Sequence, residues 1–400
     1  MGLLSVDDAL ARILDGVEFT ESSRVPLAQA ARRVLADSVA ATLTQPPFDA
    51  SAMDGYAVRA ADLARVPAVL SLVGEARAGQ SFGGTVGIGQ CARIFTGAPL
   101  PAGADTVVIQ ENTRADGSAI TVLTAPESGA NIRPRGGDFS HGEILLTPGR
   151  VLDARAILLA AAMGHGTLAV RRKPVVAILA TGDELVEPGQ TPGPDQIVSS
   201  NPYGLAAMVE AAGGEPRLLG IAGDTRAALE EKIAAAGDSD VLVTIGGASV
   251  GDHDLVGPVL QSRGMALDFW KIAMRPGKPM LFGRMGAQRV LGLPGNPVSA
   301  MICARVFLVP LIERLLGHAT VTAAVRARLS QPMRANGDRL HYMRAIMERD
   351  ASGSLTVTPQ ASQDSSLTSV LAASNALIVA AINALALPAG AEVDVLPLDF

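Results

Sequence analysis

Cysteine is nearly absent: only Cys91 and Cys303 occur in 400 residues. Two thiols exclude a disulfide framework and a cysteine-rich zinc site, and they fit a reducing compartment, where free cysteines ordinarily serve as small buried hydrophobes. Long apolar runs are missing too. A bilayer-spanning helix needs about 20 apolar residues, but the longest candidate, Ala376 to Leu387, is short and broken by Asn383. The amino terminus lacks the basic region of a secretory signal, so the chain is expected to be cytoplasmic, with no membrane partner. Positive charge is not in excess either. A net charge of −6 argues against a nucleic-acid binder, which needs a basic surface to displace counterions. There is no internal repeat and no Walker pattern, and the glycines from Gly246 to Gly251 do not have dinucleotide-fingerprint spacing, so ordinary ATPase and dehydrogenase readings lack support.

What is present is ample material for burial. With 48% hydrophobic and 18% charged residues over 400 positions, the composition is that of a folded chain of several domains. Ser5, followed three residues later by Asp8, opens an amphipathic helix with a capping box. Residues 43–141 are rich in Gly, Pro, Thr and Val, with short alternating runs at Cys91–Phe95 and Thr106–Gln110, and form a β-rich domain. Arg155 to Met163 reads as a helix ending at Gly164, and residues 1–42 and 142–170 together make a helical, linking domain.

From Val175 the rhythm becomes strand, helix, strand. The run VVAILA is continuous and apolar, as in a parallel strand buried on both faces. A helix starts at Ser200, Asn201 and Pro202 and ends at Gly213 and Gly214; Asp224 or Thr225 caps the next. Strands are expected at Leu218–Ile221, Val241–Ile245, Trp270–Ala273, Met280–Phe282 and Val290–Leu293. A long helix, Pro297 to Leu316, with Gly317 as its cap, closes a doubly wound α/β domain over 171–318. Residues 319–400 return to short alternating strands, a C-terminal β-barrel. The fold class is therefore multi-domain α/β, with β-rich domains around one doubly wound unit.

Ligands of open α/β sheets bind beyond the carboxyl ends of the parallel strands. Three loops there join glycine to carboxylate: Thr181-Gly182-Asp183-Glu184, Ala222-Gly223-Asp224, and Gly246 through Asp254. Glycines let backbone N–H groups approach a phosphate, while Asp and Glu can hold Mg²⁺. Two carboxylates 4 Å apart repel by about 4 kcal/mol at an effective dielectric of about 20, so clustering them calls for a cation. Taken singly, Asp224 could equally be a helix cap, and Asp183 and Glu184 solvated loop charges. His253 has no partners at zinc-ligand spacing and reads as an exposed loop residue.

Lys271, Arg275 and Lys278, set among Pro276 and Pro279, look like an oxyanion clamp rather than a solvated basic run, because prolines fix the chain that carries them. Leu293 to Ser299, with Pro294, Asn296 and Pro297, leads from strand into helix; it is either a plain turn or an anion site made by backbone donors and Ser299. In the β-rich domain, Asp54, Thr96 and Asp138 each sit beside a tight turn, and sequence alone does not merge them into one site.

The set FDASAMDGYAV, RIFTGAPLPAGADTVVIQE, NIRPRGGDF, ILATGDEL, TIGGASVGDHD, FWKIAMRPGKPMLFG and LGLPGNPVSA resembles, in order and along nearly the whole chain, the MoeA/gephyrin family of molybdopterin molybdenumtransferases. The α/β domain alone resembles the MogA-like molybdopterin-binding module, which also occurs in adenylyltransferases and CinA-type proteins. The resemblance implies four domains and an elongated homodimer with its site between subunits. It also implies Mg²⁺-dependent conversion of adenylylated molybdopterin and molybdate into molybdenum cofactor and AMP, with a MogA-type adenylyltransferase and cofactor acceptor proteins as partners.

Carried onto this sequence, Asp54, Thr96, Asp138, Glu184, Asp224 and Asp254 correspond to the polar residues around pyrophosphate and metal, with Glu184, Asp224 and Asp254 as metal ligands. Ser249 with Gly246, Gly247 and Gly251 corresponds to the pterin and phosphate cradle. Molybdate would lie against Arg275, Lys278, Pro279 and Ser299, with Arg344 and Ser365 or Ser366 approaching from the last domain, and Lys271, Pro294 and Asn296 belong with the cofactor-binding residues. Arg275 stands where the family commonly has lysine, which keeps the charge and changes the hydrogen-bond geometry. Two alternatives remain: an adenylyltransferase built on the same module, and a non-enzymatic molybdopterin-binding scaffold.

Overall fold

The computed structural model describes residues 3–247, 255–318 and 324–398. Its centre is a six-stranded sheet in the order Glu215–Ala222, Val175–Thr181, Val241–Ile245, Gln288–Leu293, Leu281–Met285, Ala266–Trp270. Pairing is parallel among the first four strands and antiparallel along the last two. All five residues of Val241–Ile245 and all six of Gln288–Leu293 are buried, because helices cover both faces and leave no side for polar alternation. On one face pack the helices Asn201–Ala211 and Pro297–Leu316, on the other Arg226–Ala235 and Val256–Ser262.

Local signals account for the helix ends. Thr225 accepts from the backbone N–H of Ala228 and caps its helix, so Asp224 is left outside that role. Gly317 ends the long helix in the left-handed region at φ 67°, as a glycine stop should. That helix is not uniform: residues Ala304–Leu308 take a π-helical turn between two α-helical stretches. Two strands on one side of the sheet differ from the sequence expectation. They run Ala266–Trp270 and Leu281–Met285 rather than through Trp270–Ala273 and Met280–Phe282, because Lys271 adopts φ 75°, which ends an extended strand.

The first helix, Val6–Leu14, begins as expected, with Ser5 accepting from the Asp8 N–H. Its buried stripe of Val6, Ala9 and Ile13 joins the core of the α/β domain, not that of the linking domain with which its sequence position grouped it. An amphipathic stripe demands burial without naming the surface that supplies it. The rest of that linking unit pairs residues distant in sequence: Ser22–Pro26 lies antiparallel to Thr167–Arg171 and Val39–Ala40 to Ile144–Leu146, around a core that includes Leu35, Leu146, Leu152 and Met163.

Between these stretches the β-rich block forms a sheet in the order Thr106–Ile109, Gly55–Val58, Gln90–Ile94, Ala68–Ala76, Ala119–Val122, Thr113–Asp116. At the carboxyl end, Leu340–Arg349, Leu355–Pro359, Val325–Leu329, Glu392–Pro397 and Ala376–Ala380 pair in turn, and the last returns to the first. This is a closed five-stranded barrel, which leaves no unpaired edge. The two-residue strand Met274–Arg275 pairs with Leu340 and His341 at the start of the first barrel strand, joining the barrel to the α/β domain.

Candidate active site

The carboxyl ends of the parallel strands open into a cleft of about 600 Å³, within the range of small-molecule sites. Its walls include Glu184, Gly246, Gly247, Pro279, Asn296 and Ser366. Gly246 makes this floor possible. It sits at φ +91°, and a Cβ there would lie 2.8 Å from the Thr181 carbonyl oxygen, so any side chain would collide with backbone. The chain thus passes directly over the strand ends, with Gly246 donating to the carbonyl of Leu293.

Glu184 lines the cleft and is exposed. Asp183 turns aside and accepts from the backbone N–H of Asp224, tying the first carboxylate loop to the second. Asp224 is exposed beside it. Ser249, Gly251 and Asp254 lie outside the described residues. Among the described residues, no three His, Cys, Asp or Glu side chains gather closely enough to enclose a metal. One or two exposed carboxylates nevertheless suit Mg²⁺, which keeps waters and substrate phosphates as its remaining ligands.

Pro279 enters the cleft from the cationic loop. On that loop Arg275 and Lys278 are exposed, and among the described residues no carboxylate pairs with either. Lys271 stacks its ammonium over the Trp270 ring at 4.8 Å. Of these loops, Glu184 and Pro279 are the residues that line the cleft, whereas Asp224, Arg275 and Lys278 are not among its lining.

The strand-to-helix turn at Pro294 and Asn296 contributes differently from the sequence expectation. The Val298 N–H, a donor of the helix start, is taken by the carbonyl of Ser365, and the Asn296 amide donates to the Ser365 hydroxyl. Ser299 is buried at the third helical position and does not line the cleft. The helix start is therefore docked to the barrel domain instead of standing open to an anion.

Arg344 corrects the expectation of direct contact more strongly. It is 1% exposed and donates to the carbonyls of Leu367 and Ser362, while its backbone exchanges hydrogen bonds with Gln363. It holds the loop that carries Ser365 and Ser366 from behind. Ser366 reaches the cleft itself, its hydroxyl and N–H both donating to Asp364.

On the β-rich domain, Asp54 precedes one strand and Thr96 follows its antiparallel neighbour. The register Gly55 to Ile94 brings them to the same end, where Thr96 donates twice to Asp54. These hydrogen bonds, with Arg93 nearby, hold the Asp54 carboxyl below its ordinary range. Asp138 is exposed, its N–H given to Gln45. Among the described residues, no hydrogen bond or ion pair links residues 43–141 to 171–318.

Sequence reasoning missed an apolar wall made by Leu185, Ile197, Val198 and Pro202. Ile197 is 59% exposed, although it belongs to a small parallel bridge with Leu185. An exposed apolar pair flanked by the Pro- and Gly-rich stretch 188–194 was the available signal. Asn201, read only as a helix start, also donates to the Gly295 carbonyl and ties the two walls together.

Three family models match the chain in succession. The MoeA N-terminal region (domain I and II) covers residues 4–164, the probable molybdopterin binding domain 177–314, and the MoeA C-terminal region (domain IV) 326–398. A protein named molybdopterin molybdenumtransferase from Nostoc sp. is 41% identical over 340 residues, 82% of this chain and 78% of that protein. One of the same name from Haemophilus influenzae is 35% identical over 388 residues, 94% of each. The solved molybdopterin biosynthesis MoeA protein from Pyrococcus horikoshii OT3 superposes with a TM-score of 0.85 at 28% identity, over 98% of this chain and 99% of that one. With its cleft at the strand ends, its closing barrel and this similarity along nearly all its length, the chain belongs to the MoeA family of molybdopterin molybdenumtransferases.

Proposed function

We propose that this protein inserts molybdate into adenylylated molybdopterin and releases AMP, completing molybdenum cofactor. The observation that carries this reading is the cleft itself: a glycine floor with the exposed Glu184 on one face and Pro279 on another, the latter from the loop that also bears Arg275 and Lys278, neither of which meets a carboxylate among the described residues. A pterin nucleotide and a tetrahedral dianion need those two faces together.

In this account Arg275 and Lys278 bind and orient molybdate, with charge-assisted hydrogen bonds that strengthen as water is displaced. Gly246 keeps the floor free of a side chain and Gly247 offers backbone to the substrate phosphates, the Leu185, Ile197 and Val198 wall packs its flat ring, and Ser366 borders the cleft from the barrel loop. Glu184 and Asp224, with Asp254, would hold Mg²⁺, which supplies charge neutralisation at the pyrophosphate. The anhydride P–O bond breaks as water or a molybdate oxygen attacks phosphorus, AMP leaves, and no protein nucleophile is needed. Both thiols are unsuited to such a part: burial raises Cys91 to about 11 and pushes Cys303 higher still. The protein works as a cytoplasmic homodimer, so that Asp54, Thr96 and Asp138 of one subunit complete the cleft of the other. A MogA-type adenylyltransferase supplies the substrate and apo-molybdoenzymes accept the product.

The alternative adenylyltransferase reading is separated by co-substrate. Consumption of MgATP with metal-free molybdopterin would favour it, whereas AMP release that depends on molybdate supports insertion. A scaffold role predicts neither.

A further inference from the structure

We propose that Leu4, at the amino terminus, and Leu340, at the start of the first barrel strand, are positioning residues for the cationic loop, together fixing the face that Arg275 and Lys278 present to an oxyanion. The inference rests on the assignment of that loop to molybdate. Its structural basis is the residue between them. Ala273 gives its N–H to the carbonyl of Leu4 at 2.7 Å and receives the N–H of Leu340 on its own carbonyl at 2.9 Å. Both hydrogen-bonding groups of this one residue are thus engaged by other parts of the chain, one by the segment that starts the first helix and one by the barrel.

The pairings continue on either side. Leu4 bridges Ile272, and Met274 and Arg275 lie parallel to Leu340 and His341. Ile272 and Met274 are fully buried, so their side chains anchor the segment while Arg275 remains outside. Within the loop, Lys271 donates to the carbonyl of Met280 and Ile272 to that of Lys278, each at 3.0 Å. From below, Cys303 lies against Gly277, where a Cβ would fall 2.3 Å from the sulfur. Cys303 ends the α-helical turn that begins at Pro297, itself a wall of the cleft. The loop is therefore spanned between the Leu4 bridge and the barrel strand that begins at Leu340, and seated on a helix that also forms the cleft. With both peptide groups of Ala273 held two positions from Arg275, a shift of either partner is passed to the cation. Displacement of a positioned group by about 1 Å is enough to cost a large factor in function.

The test compares three proteins with the wild type: a chain that begins at Ser5 once its initiator Met has been removed, as mass spectrometry verifies, which keeps the helix cap and removes the residue 4 carbonyl; Leu340→Pro, tolerated sterically at a first strand residue but lacking the N–H; and Ala9→Gly, which loosens the first helix without touching the bridge. Hydrogen exchange of residues 272–275 and equilibrium dialysis of molybdate are measured on all four, with binding of adenylylated molybdopterin alongside. Faster exchange and an approximately tenfold or greater loss of molybdate affinity are expected in the first two proteins, with pterin affinity within about twofold, and neither change in Ala9→Gly. Unaltered exchange, unaltered molybdate affinity, an equal effect in Ala9→Gly, or no molybdate binding by the wild type each overturns the proposal. Should the restarted chain fail to fold, Leu340→Pro decides on the same readouts. Failure of the wild type to release AMP while it binds molybdate with the expected dependence on Leu4 and Leu340 sinks the insertase function and leaves the positioning intact.

Discussion

Thr96 gives both its backbone N–H and its hydroxyl to a single oxygen of Asp54, at 2.8 Å each. Two donors on Oδ1 fix the carboxylate plane, and among the described residues Oδ2 has no protein partner. Arg93 reinforces the negative charge from a seat between the Tyr56 and Phe95 rings. An ionised, oriented carboxylate with a free oxygen is what an acceptor for a metal or a reacting group needs. Asp54→Ala is expected to slow molybdate-dependent AMP release by about a hundredfold or more. Thr96→Val, which removes one donor, should raise the Asp54 carboxyl toward its ordinary value in an NMR titration. Full insertion activity in Asp54→Ala contradicts the assignment.

The cationic loop makes a sharper kinetic prediction. Each charge-assisted hydrogen bond contributes about 1.5–3 kcal/mol, so Arg275→Ala and Lys278→Ala should each raise the molybdate KM by about ten- to a hundredfold. The KM for adenylylated molybdopterin should move much less. Arg275→Lys, which restores the charge, should recover most of the loss; molybdate saturation curves for the three variants measure this.

Gly277 combines φ +106° with direct contact on Cys303. Gly277→Ala should destabilise the protein by about 1–3 kcal/mol through backbone strain and overpacking, seen as a lower Tm. Adding Cys303→Ala removes the steric part and leaves the backbone part, so the double variant should recover some, but not all, of the lost Tm.

His341 predicts a pH dependence. It is 7% exposed, and burial, reinforced by Arg275, Arg339 and Arg344, pushes its imidazole from 6.5 down to about 4. Between those values the unfolded chain takes up the proton more readily than the folded one. Stability is therefore complete above pH 6.5 and falls as pH drops toward 4, by up to about 3 kcal/mol. Replacement by Gln should flatten this part of the curve; denaturant unfolding of both proteins at pH 7 and pH 5 tests it.

How far sequence could go depended on the range of the forces involved. Val175–Thr181 was legible because burial on both faces removes polar alternation, and Ser5 and Gly317 because helix ends are decided within one turn. The cleft's position followed from the carboxyl ends of the parallel strands. The meeting of Asp54 with Thr96 was not legible without a family comparison, since it depends on strand register across a sheet. Nor was the docking of Val6, Ala9 and Ile13 on the α/β core, because an apolar stripe fits any apolar surface. Arg344 misled for a related reason: arginine is seldom fully buried, and the carbonyls of Ser362 and Leu367 with the nearby Asp364, placed by the closing barrel, make that burial tolerable.

The central claim is decided by one measurement. Purified protein is incubated with adenylylated molybdopterin and Mg²⁺, with and without molybdate, and AMP is quantified together with reconstitution of an apo-molybdoenzyme. The account predicts AMP release that requires molybdate and matches the reconstituted enzyme in amount. AMP release indifferent to molybdate, or release without reconstitution, would contradict it.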